Sequence, residues 1–354
     1  MTTDSAPKIF DGHNDFMLRI LSGSASIEGA LQGLDSGQID LPRALEGGFG
    51  GGFFAMWVPS RHESGRSSDE EMRRDHYDVP LPPMVDQREA LKVVDAEVAI
   101  FRDLESAGFL TGCTSVAQLE AALKTDKLAA ILHLEGAEAI DPEFEILETL
   151  YAQGLRSLGP VWSRPTIFAH GVPFRFPSTG DIGPGLTDLG RELVRACNRL
   201  KIMLDVSHLN EKGFNDLAAI TDAPIVATHS NAYAVSPHAR NLTDRQLDII
   251  AESDGMVGLN FATAFLRPDG RMDADMSLDI MLRHLDHLIS RLGEDRVGFG
   301  SDFDGATIPE GIRDVAGLPA LRQLMHRHDF GEALIAKLCH GNWFRVLRKI
   351  WGEA

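Results

Sequence analysis

The sequence is poor in cysteine, short of positive charge and free of long apolar runs, and each shortage removes a class of protein. Only three cysteines occur, Cys113, Cys197 and Cys339, with no CxxC pair among them. So scattered and odd a set supports neither a disulfide framework nor a thiolate zinc site, and all three read as structural. Lysine and arginine number 34 against 52 aspartates and glutamates, a formal net charge of −18. Nucleic-acid binding needs clustered Lys and Arg to displace counterions, so the composition argues against that partner and reads as a solvated acidic surface. No run reaches the ~18 apolar residues of a membrane span. The N-terminal stretch MTTDSAPKIFDGHND lacks the charged and apolar regions of a secretory signal, and LRKIWGEA at the end is amphipathic where a glycolipid-anchor signal would be hydrophobic. The expectation is a soluble cytoplasmic protein without membrane attachment.

What is present points to one large unit. A chain of 354 residues, 44% hydrophobic, exceeds the usual ~100–200 per domain but suits a barrel of ~250 residues or more. Eight short apolar or β-rich runs recur: KIFDGH, FFAMWVP, LAAILHLEG, LRSLGPV, KIMLDVSH, PIVATHS, GMVGLNF and RVGFGSD. Helical patterns lie between them, as in VDQREALKVVDAEVAIFRDLE. Thr187 is placed to cap LGRELVRACNRL, and Thr243 with Gln246 has capping-box spacing. Strands alternating with helices predict parallel βαβ units, hence an α/β fold of (β/α)8 TIM-barrel type spanning 1–354 as a single domain. The polar, proline-ended insertion at 59–84 reads either as a lid or as an ordinary solvated loop. The glycine cluster Gly47–Gly52 precedes a strand rather than a helix, so it reads as an approach to the second strand and not as a phosphate cradle.

Metal-capable residues stand at the ends of runs that should be buried strands, where barrels build their sites. The first run leads into Asp11-Gly12-His13-Asn14-Asp15, and in extended backbone His13 and Asp15 share a side while Asn14 points away. Such a pair alone is common by chance. Glu135 closes a strongly apolar run, a costly place for an unpaired carboxylate. His133 sits deeper in that run and reads as packed. His208 and His229 end the fifth and sixth runs. Five ligand-type residues at four strand ends fit two adjacent cations sharing Glu135, one taking His13 and Asp15, the other His208 and His229. Mixed nitrogen and oxygen donors favour Zn²⁺. Asp302 is open to three roles: sixth ligand, strand-end cap or proton shuttle. Asp304, farther into the loop, reads as structural.

The ordered series DGHND, HLEG, DVSH, THS, ARN, GSDFDG and GNWFRVL resembles the membrane (renal-type) dipeptidase family, peptidase family M19 of the amidohydrolase-like superfamily, across nearly the whole chain, as a divergent bacterial-type member. The resemblance implies a (β/α)8 barrel with two zinc ions, held by His13, Asp15, His208 and His229 with Glu135 bridging. It implies that Arg240, which alone would read as a surface ion pair or a cap, binds the substrate's carboxylate, and that Asp302 handles protons. The implied reaction is hydrolysis of small dipeptides, L-Xaa-D-Xaa among them, by a metal-bridging hydroxide, in a homodimer. One residue departs from the pattern: Trp162 stands where dipeptide-processing relatives carry a histidine, with His170 a candidate to compensate. That keeps a rival open, the same site acting on N-acyl amino acids, β-lactams or lactones. A barrel that binds metal without catalysis would need a broken ligand set, and none of these residues is missing.

Overall fold

The computed structural model describes residues 6–60 and 68–352. Eight strands carry the fold: β1 (Ile9–Asn14), β2 (Phe49–Trp57), β3 (Leu128–Glu135), β4 (Leu155–Gly159), β5 (Met203–Leu204), β6 (Val226–Ala227), β7 (Met256–Leu259) and β8 (Val297–Phe299). Neighbours pair in parallel and in chain order, with β8 returning to β1 at Asp11 and Phe299. Between β5 and β6 the ring closes through the parallel bridge of Asp205 and Val226, where Val206 N donates to Val226 O at 2.9 Å. This is the (β/α)8 barrel, and all eight runs read from the sequence supply its strands. Every residue of β1 and β3 is buried, because the barrel interior covers one face and the helix layer the other. β3 is shared: its first residues pair with a short strand, Leu110–Gly112, and its last with β4.

The helices begin where their caps allow. α1 (Gln87–Ala107) opens at Asp86, whose side chain accepts from Arg88 N and Glu89 N, and it closes at left-handed Gly108. Ala90, Val94, Phe101 and Leu104 bury one stripe of it. α2 (Asp188–Leu200) starts at Thr187, which accepts from Gly190 N at 3.0 Å. α3 (Asp244–Glu252) has its capping box, with Thr243 N donating to Gln246 Oε1 at 2.9 Å. Each cap contributes about 1 kcal/mol.

The glycine cluster is divided: Gly47 ends the helix Leu41–Gly47, Gly48 caps it, and Gly50, Gly51 and Gly52 lie within β2. A Cβ on Gly51 would lie 2.1 Å from Ala129 O, and one on Gly52 2.3 Å from Asp11 O, so these glycines let β2 close against both neighbours. At the opposite end from the strand C-termini, α4 (Asn342–Trp351) inserts Trp343 into the barrel, where its Nε1 donates to Phe299 O at 3.0 Å. It packs with Phe10, Phe53, Met203, Val226 and Met256. Glycine on three strands makes the room: a Cβ on Gly12, Gly258 or Gly298 would fall 2.5, 3.0 and 3.0 Å from the indole.

Of the insertion at 59–84, residues 61–67 lie outside the described residues. The remainder forms a short helix, Ser68–Glu71, and then a two-residue ribbon in which Tyr77–Asp78 pairs antiparallel with Arg175–Phe176. Met72 and Tyr77 pack with Phe176, Phe265 and Met272, and Tyr77 Oη donates to Gly270 O at 2.6 Å. Among the described residues, no helix is long and apolar enough to cross a membrane.

Candidate metal centre and active site

Parallel pairing brings the carboxyl ends of all eight strands to one rim, so the polar residues ending separate apolar runs converge. Glu135 Oε1 sits at the middle, 3.6 Å from His13 Nε2, 3.1 Å from His208 Nε2 and 3.5 Å from His229 Nε2. His13 Nε2 lies 3.4 Å from Asp15 Oδ2, and the Nε2 atoms of His208 and His229 are 3.1 Å apart. Two sets of donors each gather within 4.8 Å: His13, Glu135 and His229, and His13, Asp15 and Asp302. His13 belongs to both.

The donor set fits divalent metal on an observation of its own. Both ring nitrogens of His13 are buried without a hydrogen-bond partner among the described residues, an arrangement that native interiors avoid. Electrostatics makes the same demand. Burial acts most strongly on His13 and opposes its charge, yet Glu135 and Asp15 outweigh burial and lift its pKa well above the ordinary value. Burial, joined by the positive charges of Arg240 and His13, holds His208 and His229 well below theirs. Burial raises Glu135 and Asp302. Carboxylates crowded out of water here call for a positive charge, which a cation bound by neutral imidazoles would supply.

The ligand-type imidazoles are held from behind. Ser163 Oγ lies 2.9 Å from His208 Nδ1, and Thr228 Oγ1 lies 2.8 Å from His229 Nδ1. Asp205 receives the Thr228 hydroxyl at 2.6 Å. Sequence reasoning missed these supports, although Asp205 and Thr228 stand inside the very runs that end in His208 and His229. His133 is packed beneath the site, with Nδ1 2.8 Å from Ser157 Oγ and its ring edge-on to His13. Asn14 turns away and donates to Phe53 O at 3.1 Å. Asp304 accepts from Gln38 N at 2.7 Å.

Arg240 is neither a surface ion pair nor a helix cap. It is 2% exposed, with Nη2 3.1 Å from His208 Nε2 and 3.3 Å from His229 O, and Nη1 bonded to Ser207 O. Burial lowers its pKa to about 10, so it stays charged. Asp302 adopts a left-handed backbone, φ 62°, a conformation that strains a side-chain-bearing residue. Its N donates to His13 O at 3.0 Å and its Oδ2 accepts from Asn260 Nδ2 at 2.9 Å.

Above these groups lies a cavity of about 230 Å³ floored by Asp15, Glu135, His208 and Asp302. Trp57, Trp162, Phe174 and Phe265 wall it, and Met72 and Asp69 of the insertion reach it. Trp162 meets Trp57 edge to face at 5.2 Å and stands 5.9 Å from the His208 ring. His170 is not among the residues lining this cavity. The volume is below the ~300–1,000 Å³ typical of small-molecule pockets, so only a small ligand fits it.

A closed parallel barrel with imidazole and carboxylate donors on its carboxyl rim is the architecture of the metal-dependent, amidohydrolase-like enzymes. Within that class, the family model described as membrane dipeptidase (peptidase family M19) matches residues 4–352, and the chain belongs to that family. It is similar to a solved metallopeptidase from Rhodobacter sphaeroides liganded with a phosphinate mimic of the dipeptide L-Ala-D-Ala, with 54% identity and a TM-score of 0.95, covering 98% of this chain and 100% of that one. An uncharacterized protein in the pqqA 5′ region of Klebsiella pneumoniae is 46% identical over 73% of this chain and 96% of its own length. A probable dipeptidase from Pseudomonas aeruginosa, at 20% identity and TM-score 0.80 over 98% and 96% of the two chains, shares the fold.

Proposed function

We propose that this protein is a binuclear zinc dipeptidase that hydrolyses the amide bond of small dipeptides, L-Xaa-D-Xaa among them. The observation that carries the reading is Glu135 Oε1, one carboxylate oxygen within 3.6 Å of three imidazole nitrogens from three strands. Glu135 would be shared by two cations, one held by His13 and Asp15 and the other by His208 and His229. Bound there, two divalent cations supply an activated water near neutral pH and Lewis-acid polarisation of the scissile carbonyl. The phosphinate dipeptide mimic on the Rhodobacter relative supports the substrate class.

The chain's own residues do the rest. Arg240, charged and beside His208, offers a planar fork to the substrate's terminal carboxylate. Asp302, at the cavity floor, takes the proton released on attack and returns it to the leaving amine. Trp57 and Trp162 exclude water from the cavity. The described part of 59–84 acts as a lid over a single-domain barrel, since Asp69 and Met72 already reach the cavity from above. A second reading has one observation in its favour: Trp162, an apolar wall where dipeptide-processing relatives carry a polar group, suits N-acyl amino acids, β-lactams or lactones at the same centre.

One experiment decides between them. Zinc-replete enzyme is expected to hold two Zn²⁺ per chain by elemental analysis, to cleave free L-Xaa-D-Xaa and L-Xaa-L-Xaa dipeptides, and to act poorly on their C-terminally amidated forms. At most one zinc per chain would overturn the binuclear site, and turnover of N-acyl amino acids or β-lactams above that of every dipeptide would transfer the assignment to the second reading.

A further inference from the structure

Beneath the imidazoles lies a hydrogen-bond network whose protons can be placed one by one. Asp205 is 4% exposed and accepts at both oxygens. Oδ1 takes Ser207 N at 3.0 Å, Ser207 Oγ at 2.6 Å and Thr228 N at 2.9 Å, while Oδ2 takes Thr228 Oγ1 at 2.6 Å. The same Thr228 oxygen lies 2.8 Å from His229 Nδ1. A hydroxyl has one proton, and a carboxylate offers only acceptors. The Thr228 proton therefore points at Asp205, and the oxygen must receive from the imidazole. Ser207 Oγ, 3.3 Å from Thr228 Oγ1, does not compete, because its own proton is committed to Asp205. His133 Nε2, 3.7 Å from Asp205 Oδ2, is beyond hydrogen-bond reach. His229 thus carries its proton on Nδ1. Its bare Nε2 faces Glu135 Oε1 and His208 Nε2.

We infer that Asp205, acting through the Thr228 hydroxyl, is a positioning residue that fixes the tautomer of His229 and so makes Nε2 available to metal. The inference rests on the proposed reading of His229 as a ligand. It makes a directional demand that a merely space-filling pair would not. In Asp205→Asn the three donors at Oδ1 pin the amide oxygen there, which turns the amide nitrogen toward Thr228. That nitrogen donates, the Thr228 proton reverses onto His229 Nδ1, and the imidazole proton moves to Nε2, where it blocks ligation.

The test is Zn²⁺ titration of metal-free protein, with ¹⁵N-histidine NMR of the same metal-free samples. Wild type is expected to show His229 unprotonated at Nε2, and D205N to show it unprotonated at Nδ1. D205N should bind one of the two zinc ions about 10–100-fold more weakly, the range that outer hydrogen-bond partners of ligands command. T228V should weaken that zinc and T228S should restore it. The double variant D205N/T228V, which removes the reversed donor, should bind zinc more tightly than D205N alone. Wild-type zinc affinity in D205N, a double variant no better than D205N, or the same tautomer in both proteins overturns the inference. Should D205N not fold, T228V and T228S decide: equal zinc affinities overturn it, and loss with rescue supports it. The NMR result does not depend on metal, so a wild type with the expected tautomer but no loss of zinc in His229→Ala would sink the ligand reading instead.

Discussion

Asp302 is held at the cavity floor in a backbone conformation that a side-chain-bearing residue rarely adopts. Its left-handed backbone is locked by the bond from its N to His13 O, and a Cβ on the following Gly305 would sit 2.0 Å from Asp15 Oδ2. The loop is therefore built to bring two carboxylates to one cavity floor. On the proposed assignment, in which the metal ligands are other residues, Asp302 is expected to be dispensable for metal and essential for turnover. Asp302→Asn keeps size and hydrogen bonding but cannot accept a proton. Its kcat should fall by roughly 10²–10⁴-fold, the range for loss of general acid–base catalysis, with zinc unchanged by elemental analysis. Loss of a zinc ion, or near-normal turnover, would make Asp302 a ligand or a cap.

Among elements, the strands were legible because burial on both faces forces a continuous apolar run, even where β5 and β6 reduce to two residues each. The ligand-type residues were legible for the same reason, since a His or Glu ending such a run stands out against it. Asp205, Thr228 and Asn260 were not, because their roles depend on hydrogen bonds between strands that no single run displays. Nor was the ribbon of Tyr77–Asp78 with Arg175–Phe176, whose two pairs join segments distant in sequence. α4 gives the sharpest case. GNWFRVL could be matched as a motif, but only the fold shows that Trp343 fills the barrel floor. Trp343→Ala is expected to cost about 3–5 kcal/mol, as large aromatic truncations in cores do, read as a shift in the denaturant midpoint at unchanged m-value. A cost below ~1 kcal/mol would mean the floor collapses around the void.

At the scale of the whole molecule, stability is tied to pH through groups buried under the site. Burial pushes the Asp11 carboxyl from 3.8 up to about 7, against the opposing bonds from Ser301 N and Oγ. Between those values the folded protein keeps a proton that the unfolded chain has released. Its contribution is therefore most favourable below about pH 4 and is lost as pH rises through 7, by roughly 4 kcal/mol at most. Asp11→Asn removes the titration. Urea unfolding of the metal-free protein at pH 5 and pH 8 should show a smaller loss of stability in Asp11→Asn than in wild type, and equal losses would exonerate Asp11. The Trp343 floor has a different consequence, one of timing. The glycines that receive its indole lie on β1, β7 and β8, so Gly12 waits for a side chain made only at residue 343. During synthesis the base of the barrel is expected to lack this plug until residue 343 has been made. Long-range closure of this kind is slow and leaves apolar surface exposed meanwhile. Any dependence on chaperones should thus be set by when the Trp343 indole arrives to fill the base of the barrel.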